Sequence, residues 1–101
     1  MLANEDGADA VTIQSFRNDE ASEILRGSTP KGVHRDIAKA ARRRLAQLDA
    51  SVSPQDMAVP PGNRLHKVGD DVWSVSVNDQ YRLTFKWGPS GPEEVWFGDY
   101  H

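Results

Sequence analysis

One stretch near the carboxyl end constrains the fold more than any other. Residues 78–87 read Asn78-Asp79-Gln80-Tyr81-Arg82-Leu83-Thr84-Phe85-Lys86-Trp87. Tyr81, Leu83, Phe85 and Trp87 alternate with Arg82, Thr84 and Lys86, the period-two spacing of a strand with one buried face. Residues 71–77 alternate in the same way, with Trp73, Val75 and Val77 on one side and Ser74 and Ser76 on the other. Asn78-Asp79-Gln80 is a tight connection, so the two runs predict an antiparallel hairpin. Gly88-Pro89-Ser90-Gly91-Pro92 reads as a turn, and residues 93–100 as the last strand.

The rest of the chain supplies what covers this sheet. Residues 10–15 are β-branched and alternating, which predicts a first strand. Asn18 is a helix cap with Asp19 and Glu20 in the first turn, where the helix dipole favours anions, and Gly27 is the stop. Residues 33–50 form the clearest helix: Ile37, Ala41, Leu45 and Leu48 recur at spacings of four, four and three, one face of an α-helix. Residues 52–63 are loop-like, with a short helical turn at Ser53-Pro54-Gln55-Asp56 and two prolines at 60 and 61 that exclude a regular helix or a central strand. The predicted fold class is α+β: two N-terminal helices on one face of a small, mainly antiparallel sheet. Its other face then carries Ser74, Ser76, Arg82, Thr84 and Lys86.

With 101 residues, the chain has material for one domain and one core. It contains no cysteine, which excludes a disulfide framework and a thiolate metal site. No apolar run approaches the roughly 20 residues of a membrane helix, and the N-terminus lacks the basic and apolar regions of a secretory signal. A cytoplasmic protein without membrane association is the expectation. The net charge of −3 is uneven: Glu5, Asp6 and Asp9 lie in the first ten residues without a cation. Removing those three from the 15 acidic residues leaves 12 against 12 basic ones from Val11 onward. Residues 1–10 therefore read as an acidic, disordered lead-in and residues 11–101 as the folded domain. A neutral domain can still bind phosphate through a local basic face, because salt limits the reach of charge to about 10 Å.

The titratable residues form a set suited to RNA cleavage. That reaction needs a base for the 2′-hydroxyl proton, an acid for the leaving 5′-oxygen, and a cation for the charge on phosphorus. His66, Asp99, Tyr100 and His101 offer proton transfer. Arg82 offers a planar fork that stays charged, and Tyr100 offers a stacking face. Arg35, Lys39, Arg42 and Arg43 lie mainly opposite the apolar stripe of the long helix; a solvated surface and a phosphate-gripping face are about equally good readings of them. Arg64, Lys67 and Lys86 add cations near the hairpin. The three histidines, His34, His66 and His101, have no metal-ligand spacing, so no metal and no cofactor are expected.

Three blocks carry a family resemblance. Val59-Pro60-Pro61-Gly62-Asn63-Arg64-Leu65-His66, Trp73-Ser74-Val75-Ser76-Val77-Asn78-Asp79-Gln80-Tyr81-Arg82-Leu83-Thr84-Phe85 and the terminal Asp99-Tyr100-His101 resemble the HigB-type killer toxins of the RelE/ParE superfamily. Ile13-Gln14-Ser15-Phe16-Arg17 is similar to their opening strand. The resemblance implies the RelE/ParE-like fold and the toxin of a type II toxin–antitoxin pair, a metal-independent endonuclease that enters the ribosomal A site and cuts translated mRNA. It implies His66, Arg82, Asp99, Tyr100 and His101 as the catalytic set. It further implies a HigA-like helix-turn-helix antitoxin as partner, with operator DNA reached only through that antitoxin. Two other readings belong to the same superfamily: a ParE-like inhibitor that binds DNA gyrase without cutting, and an inactive relative that only binds its antitoxin.

Overall fold

A computed structural model describes residues 12–99. Among these, two α-helices come first, α1 at Asp19–Leu25 and α2 at Arg35–Asp49. Two 3₁₀ turns follow at Pro54–Ala58 and Pro61–Asn63, then four strands: β1 His66–Lys67, β2 Val72–Ser76, β3 Tyr81–Gly88 and β4 Gly91–Asp99. The strands form one antiparallel sheet in the order β1-β2-β3-β4. The protein is thus α+β. Residues 1–10, read from the sequence as a lead-in, lie outside the described residues.

Local chemistry accounts for the helix ends. Asn18 adopts extended backbone and its side chain accepts from the Ala21 amide, while Gly27 takes a φ of 101°, the left-handed conformation that closes a helix. The longer helix starts at Arg35 rather than Val33, because His34 is its cap: the imidazole Nδ1 accepts from the Asp36 amide at 3.1 Å. Buried side chains from both helices and the sheet join in one cluster: Ala21 and Ile24; Ala38, Ala41, Leu45 and Leu48; Met57; and Val75, Val77, Leu83, Phe85, Val95 and Phe97. The sheet members occupy alternating positions, as the period-two reading requires.

Three elements differ from the sequence expectation. Residues 12–17 do not form a ladder strand. They run beside β4 in parallel, with a single bridge from Phe16 to Val95. The reason is a bulge in β4: Thr84 pairs with Trp96 and Lys86 with Glu93, so one residue of β3 faces two of β4, and Glu94 turns to a φ of 52°. The bulge interrupts the edge that a parallel strand needs, and the Ser15 hydroxyl instead accepts from the Glu94 amide at 2.8 Å. The second difference is β1, read as loop from sequence. Two residues carry no periodicity, and only pairing of His66 with Ser74 and Lys67 with Trp73 reveals the strand. The third is the 88–92 turn, which shrinks to Pro89 and Ser90 because Gly88 and Gly91 pair.

Asn18 links the first helix to the last strand. Its amide nitrogen donates to the Phe97 carbonyl at 2.7 Å, and its oxygen accepts from the Phe97 amide at 3.2 Å as well as capping α1. Asn18→Ala is expected to lower stability by about 2 kcal/mol, since a cap and two strand contacts go together. Urea denaturation measures this; a change under about 0.5 kcal/mol would remove the link from the account.

Candidate functional site

Register decides which side chains share a surface. His66 pairs with Ser74, Ser74 with Thr84, and Thr84 with Trp96, so these four form one row across the sheet. Ser76, Arg82 and Gly98 form the next row on the same face, and Val72, Lys86 and Glu93 the row on the other side. His66 and Arg82 therefore belong to one face, separated by β2. Lys67 belongs to the other face. It pairs with Trp73 and its Nζ stands 5.1 Å from the centre of that ring, a cation–π contact.

This face differs from the open polar surface expected from the sequence. Ser74 is fully buried and Thr84 is 5% exposed. Short side chains between longer ones sink below the surface, and here the longer ones are His66, Arg82, Lys86 and Trp96. The floor is accordingly made of Ser74, Thr84 and Gly98. Arg82 is half-buried, with Nη1 shielded from solvent. Lys86 is oriented by Glu94 at 3.7 Å.

His66 is exposed, yet its ring is oriented. Nδ1 lies 2.8 Å from the Arg64 carbonyl oxygen. A carbonyl only accepts, so Nδ1 carries the hydrogen, and in the neutral ring Nε2 carries the lone pair. Arg64 can present that carbonyl because its backbone is left-handed, φ 52°, closing the Pro61–Asn63 turn with its amide on the Pro61 carbonyl. Asn63 anchors the same turn from within: it is buried, and its amide nitrogen reaches the Met57 and Val59 carbonyls at 3.0 and 3.3 Å.

The terminal triplet is only partly described. Asp99 pairs with Tyr81, one step along from the Arg82–Gly98 pair, which sets it toward the opposite face from Arg82. Its carboxylate accepts from the side-chain Nε2 of Gln80 at 2.8 Å. Tyr100 and His101 lie outside the described residues. Among the described residues, no group of three His, Cys, Asp or Glu side chains is placed to hold a metal ion.

The helix cations divide into two kinds. Arg35, Lys39 and Arg43 are exposed on α2. Arg42 instead donates from Nε to the Ile24 carbonyl at 2.9 Å and from Nη2 to the Ser28 carbonyl at 3.4 Å, closing the end of α1. Arg44, which sequence reading did not single out, donates to the Ala40 carbonyl at 3.2 Å; burial, then neighbouring Arg43, lowers its pKa. Two further residues escaped sequence reading, Trp96 and Arg17. Trp96 is half-buried on the polar face, and the Arg17 guanidinium carbon stands 5.8 Å from its ring centre. The apolar–polar alternation through Val95, Trp96 and Phe97 is masked by the bulge, which hides which face Trp96 joins.

Comparison with known proteins agrees with this architecture. The family described as RelE-like toxin of type II toxin-antitoxin system HigB matches residues 14–101. A curated relative, Toxin HigB-1 of Vibrio cholerae serotype O1, is 43% identical over 54 residues. That match covers 50% of this chain and 57% of the relative, so the shared stretch spans little more than half of the relative's length.

The two kinds of helix cation should separate by stability. Arg42→Ala is expected to cost about 1–2 kcal/mol, because two carbonyls at the end of α1 lose their donor. Arg43→Ala should stay within about 0.5 kcal/mol. Thermal denaturation of the pair reads the difference.

Proposed function

The chain belongs to the HigB-like family of RelE-like toxins of type II toxin–antitoxin systems, and from that premise we propose that it is a ribosome-dependent mRNA endonuclease. Membership of a type II system implies an antitoxin partner; we assign that role to a HigA-like helix-turn-helix protein, which masks the toxin and carries it to operator DNA. In this reading residues 11–101 are the toxin domain, and the two helices back one face of the sheet. The face shared by His66 and Arg82 is left for mRNA in the ribosomal A site. Arg35, Lys39 and Arg43 grip ribosomal RNA from α2, while Arg64 and Lys86 flank the mRNA path. Lys67, over Trp73 on the far side of the sheet, and Arg42, tied to the end of α1, are left out of the RNA-binding set expected from the sequence. Among the described residues no helix is long and apolar enough to cross a membrane.

The observation that carries the proposal is that an oriented imidazole and a guanidinium share one face of the sheet. His66 Nε2, free of the Arg64 contact that holds Nδ1, takes the proton of the 2′-hydroxyl as general base. The 2′-oxygen then attacks the adjacent phosphorus, forming the 2′,3′-cyclic phosphate, and the bond to the 5′-oxygen breaks. Arg82 lies in the neighbouring row and stabilises the negative charge that builds on the phosphoryl oxygens. The proton that the leaving 5′-oxygen takes up is assigned to the terminal Tyr100-His101; Asp99, turned to the opposite face from Arg82, is left out of the proton transfer and is engaged by Gln80. No metal enters this scheme, since each proton and charge has a side chain assigned to it.

His66→Ala and Arg82→Ala are each expected to lower mRNA cleavage in a translating extract by about 100-fold or more and to relieve growth arrest, with the circular dichroism spectrum unchanged. Undiminished cleavage in both variants would refute the assignment. A DNA-damage response on induction, with mRNA intact, would point instead to a gyrase inhibitor.

A further inference from the structure

The polar face holds an aromatic group that the proton-transfer scheme leaves without a task. Trp96 follows buried Val95 and precedes buried Phe97, yet register turns it to the side of Thr84. Its position there is specific. A Cβ added at Gly98 would collide with the six-membered part of the Trp96 ring, at Cζ2, Cη2 and Cε2. The indole thus fills the place where a residue-98 side chain would stand. Gly98 pairs with Arg82, so the ring lies one strand spacing, about 4.8 Å, from the strand that carries the guanidinium. The exposed Arg17 side chain stands over the same ring at 5.8 Å, held there because the Arg17 amide donates to the Val95 carbonyl at 2.8 Å.

We propose that Trp96 and Arg17 form a clamp for one unpaired nucleobase beside Arg82. This deepens the nuclease reading and rests on it for the nature of the ligand, a single RNA strand. A nucleotide whose phosphate meets Arg82 brings its base over the neighbouring indole. Planar groups in contact lie about 3.5 Å apart, so a base between ring and guanidinium needs about 7 Å. An outward movement of Arg17 by little more than 1 Å opens that gap, well within reach of an exposed arginine. Stacking between an indole and a guanidinium tolerates any base and favours purines for their larger face. Gly98 is required because any side chain there displaces the ring from Arg82.

A ring that only packs over a glycine would protect the strand and nothing more. The test must therefore read binding, and fluorescence anisotropy of the full chain with a labelled single-stranded RNA oligonucleotide does so. Its 2′-O-methyl sugars block the attacking hydroxyl, so no cleavage occurs. Trp96→Leu is expected to weaken binding by about tenfold, with Trp96→Phe close to wild type. Arg17→Lys, which keeps the charge but loses the plane, should weaken it by about threefold and does not disturb the core if Trp96→Leu fails to fold. Removing one base from the probe should cost the wild type the same tenfold and cost Trp96→Leu nothing further. Equal affinity of wild type, Trp96→Leu and Arg17→Lys overturns the clamp, as does a wild type that does not bind the probe. The two readings fail separately: a wild type that cleaves mRNA but binds the probe without Trp96 sinks only the clamp. One that binds through Trp96 yet never cleaves sinks only the nuclease.

Discussion

Antiparallel register across β2, β3 and β4 is the constraint on which the rest depends. Ser76, Arg82 and Gly98 stand in one row and Ser74, Thr84 and Trp96 in the next. A slip of one residue would turn Arg82 toward the core and Leu83 toward water. Several features hold the pairing in place. Leu83 and Phe85 are buried between Val75 and the strand carrying Val95 and Phe97. Tyr81 and Phe97 stack with ring centres 5.1 Å apart. At the hairpin, the Asn78 side chain accepts from the Gln80 and Tyr81 amides at 2.8 and 2.7 Å, fixing the turn from which the register is counted.

The same register sorts the cations that the sequence presents as one group. Alternation alone separates His66 from Lys67, neighbours in the chain that belong to opposite faces of the sheet. Backbone carbonyls sort Arg42 from Arg43, since one lies within reach of the end of α1 and the other points to solvent. The candidate face is left with few charged groups: the Arg64 carbonyl aligns His66, Glu94 steadies Lys86, and Arg82 stands half-buried in the row beside Trp96. For the proposed nuclease, pre-orientation of this kind would lower the cost of arranging a flexible RNA strand for in-line attack.

Legibility in the sequence followed the strength of each periodic signal. The alternation of residues 71–87 and the helical spacing from Ile37 to Leu48 are long enough to survive as β2, β3 and α2. Asn18 and Gly27 mark α1 because caps are local chemistry. Elements defined only by a partner were not legible. β1 is two residues made a strand by β2, and residues 12–17 became an edge cover when the bulge at Glu94 broke their ladder. Of the candidate site, His66 and Arg82 stood out in the sequence by residue type and spacing. Trp96 and Arg17 could not: the bulge obscures which face Trp96 joins, and Arg17 meets it only through the fold, from the other end of the chain.

The central claim is that mRNA lies on the face of the sheet shared by His66, Arg82 and Trp96. Photo-crosslinking of mRNA bearing 4-thiouridine to the protein on the ribosome, with the attachment points mapped by mass spectrometry, tests it most directly. Crosslinks are expected on β3 and β4 at Arg82 and Trp96 and on β1 at His66. Crosslinks gathered instead at Lys67 and Trp73, on the opposite face, would contradict it.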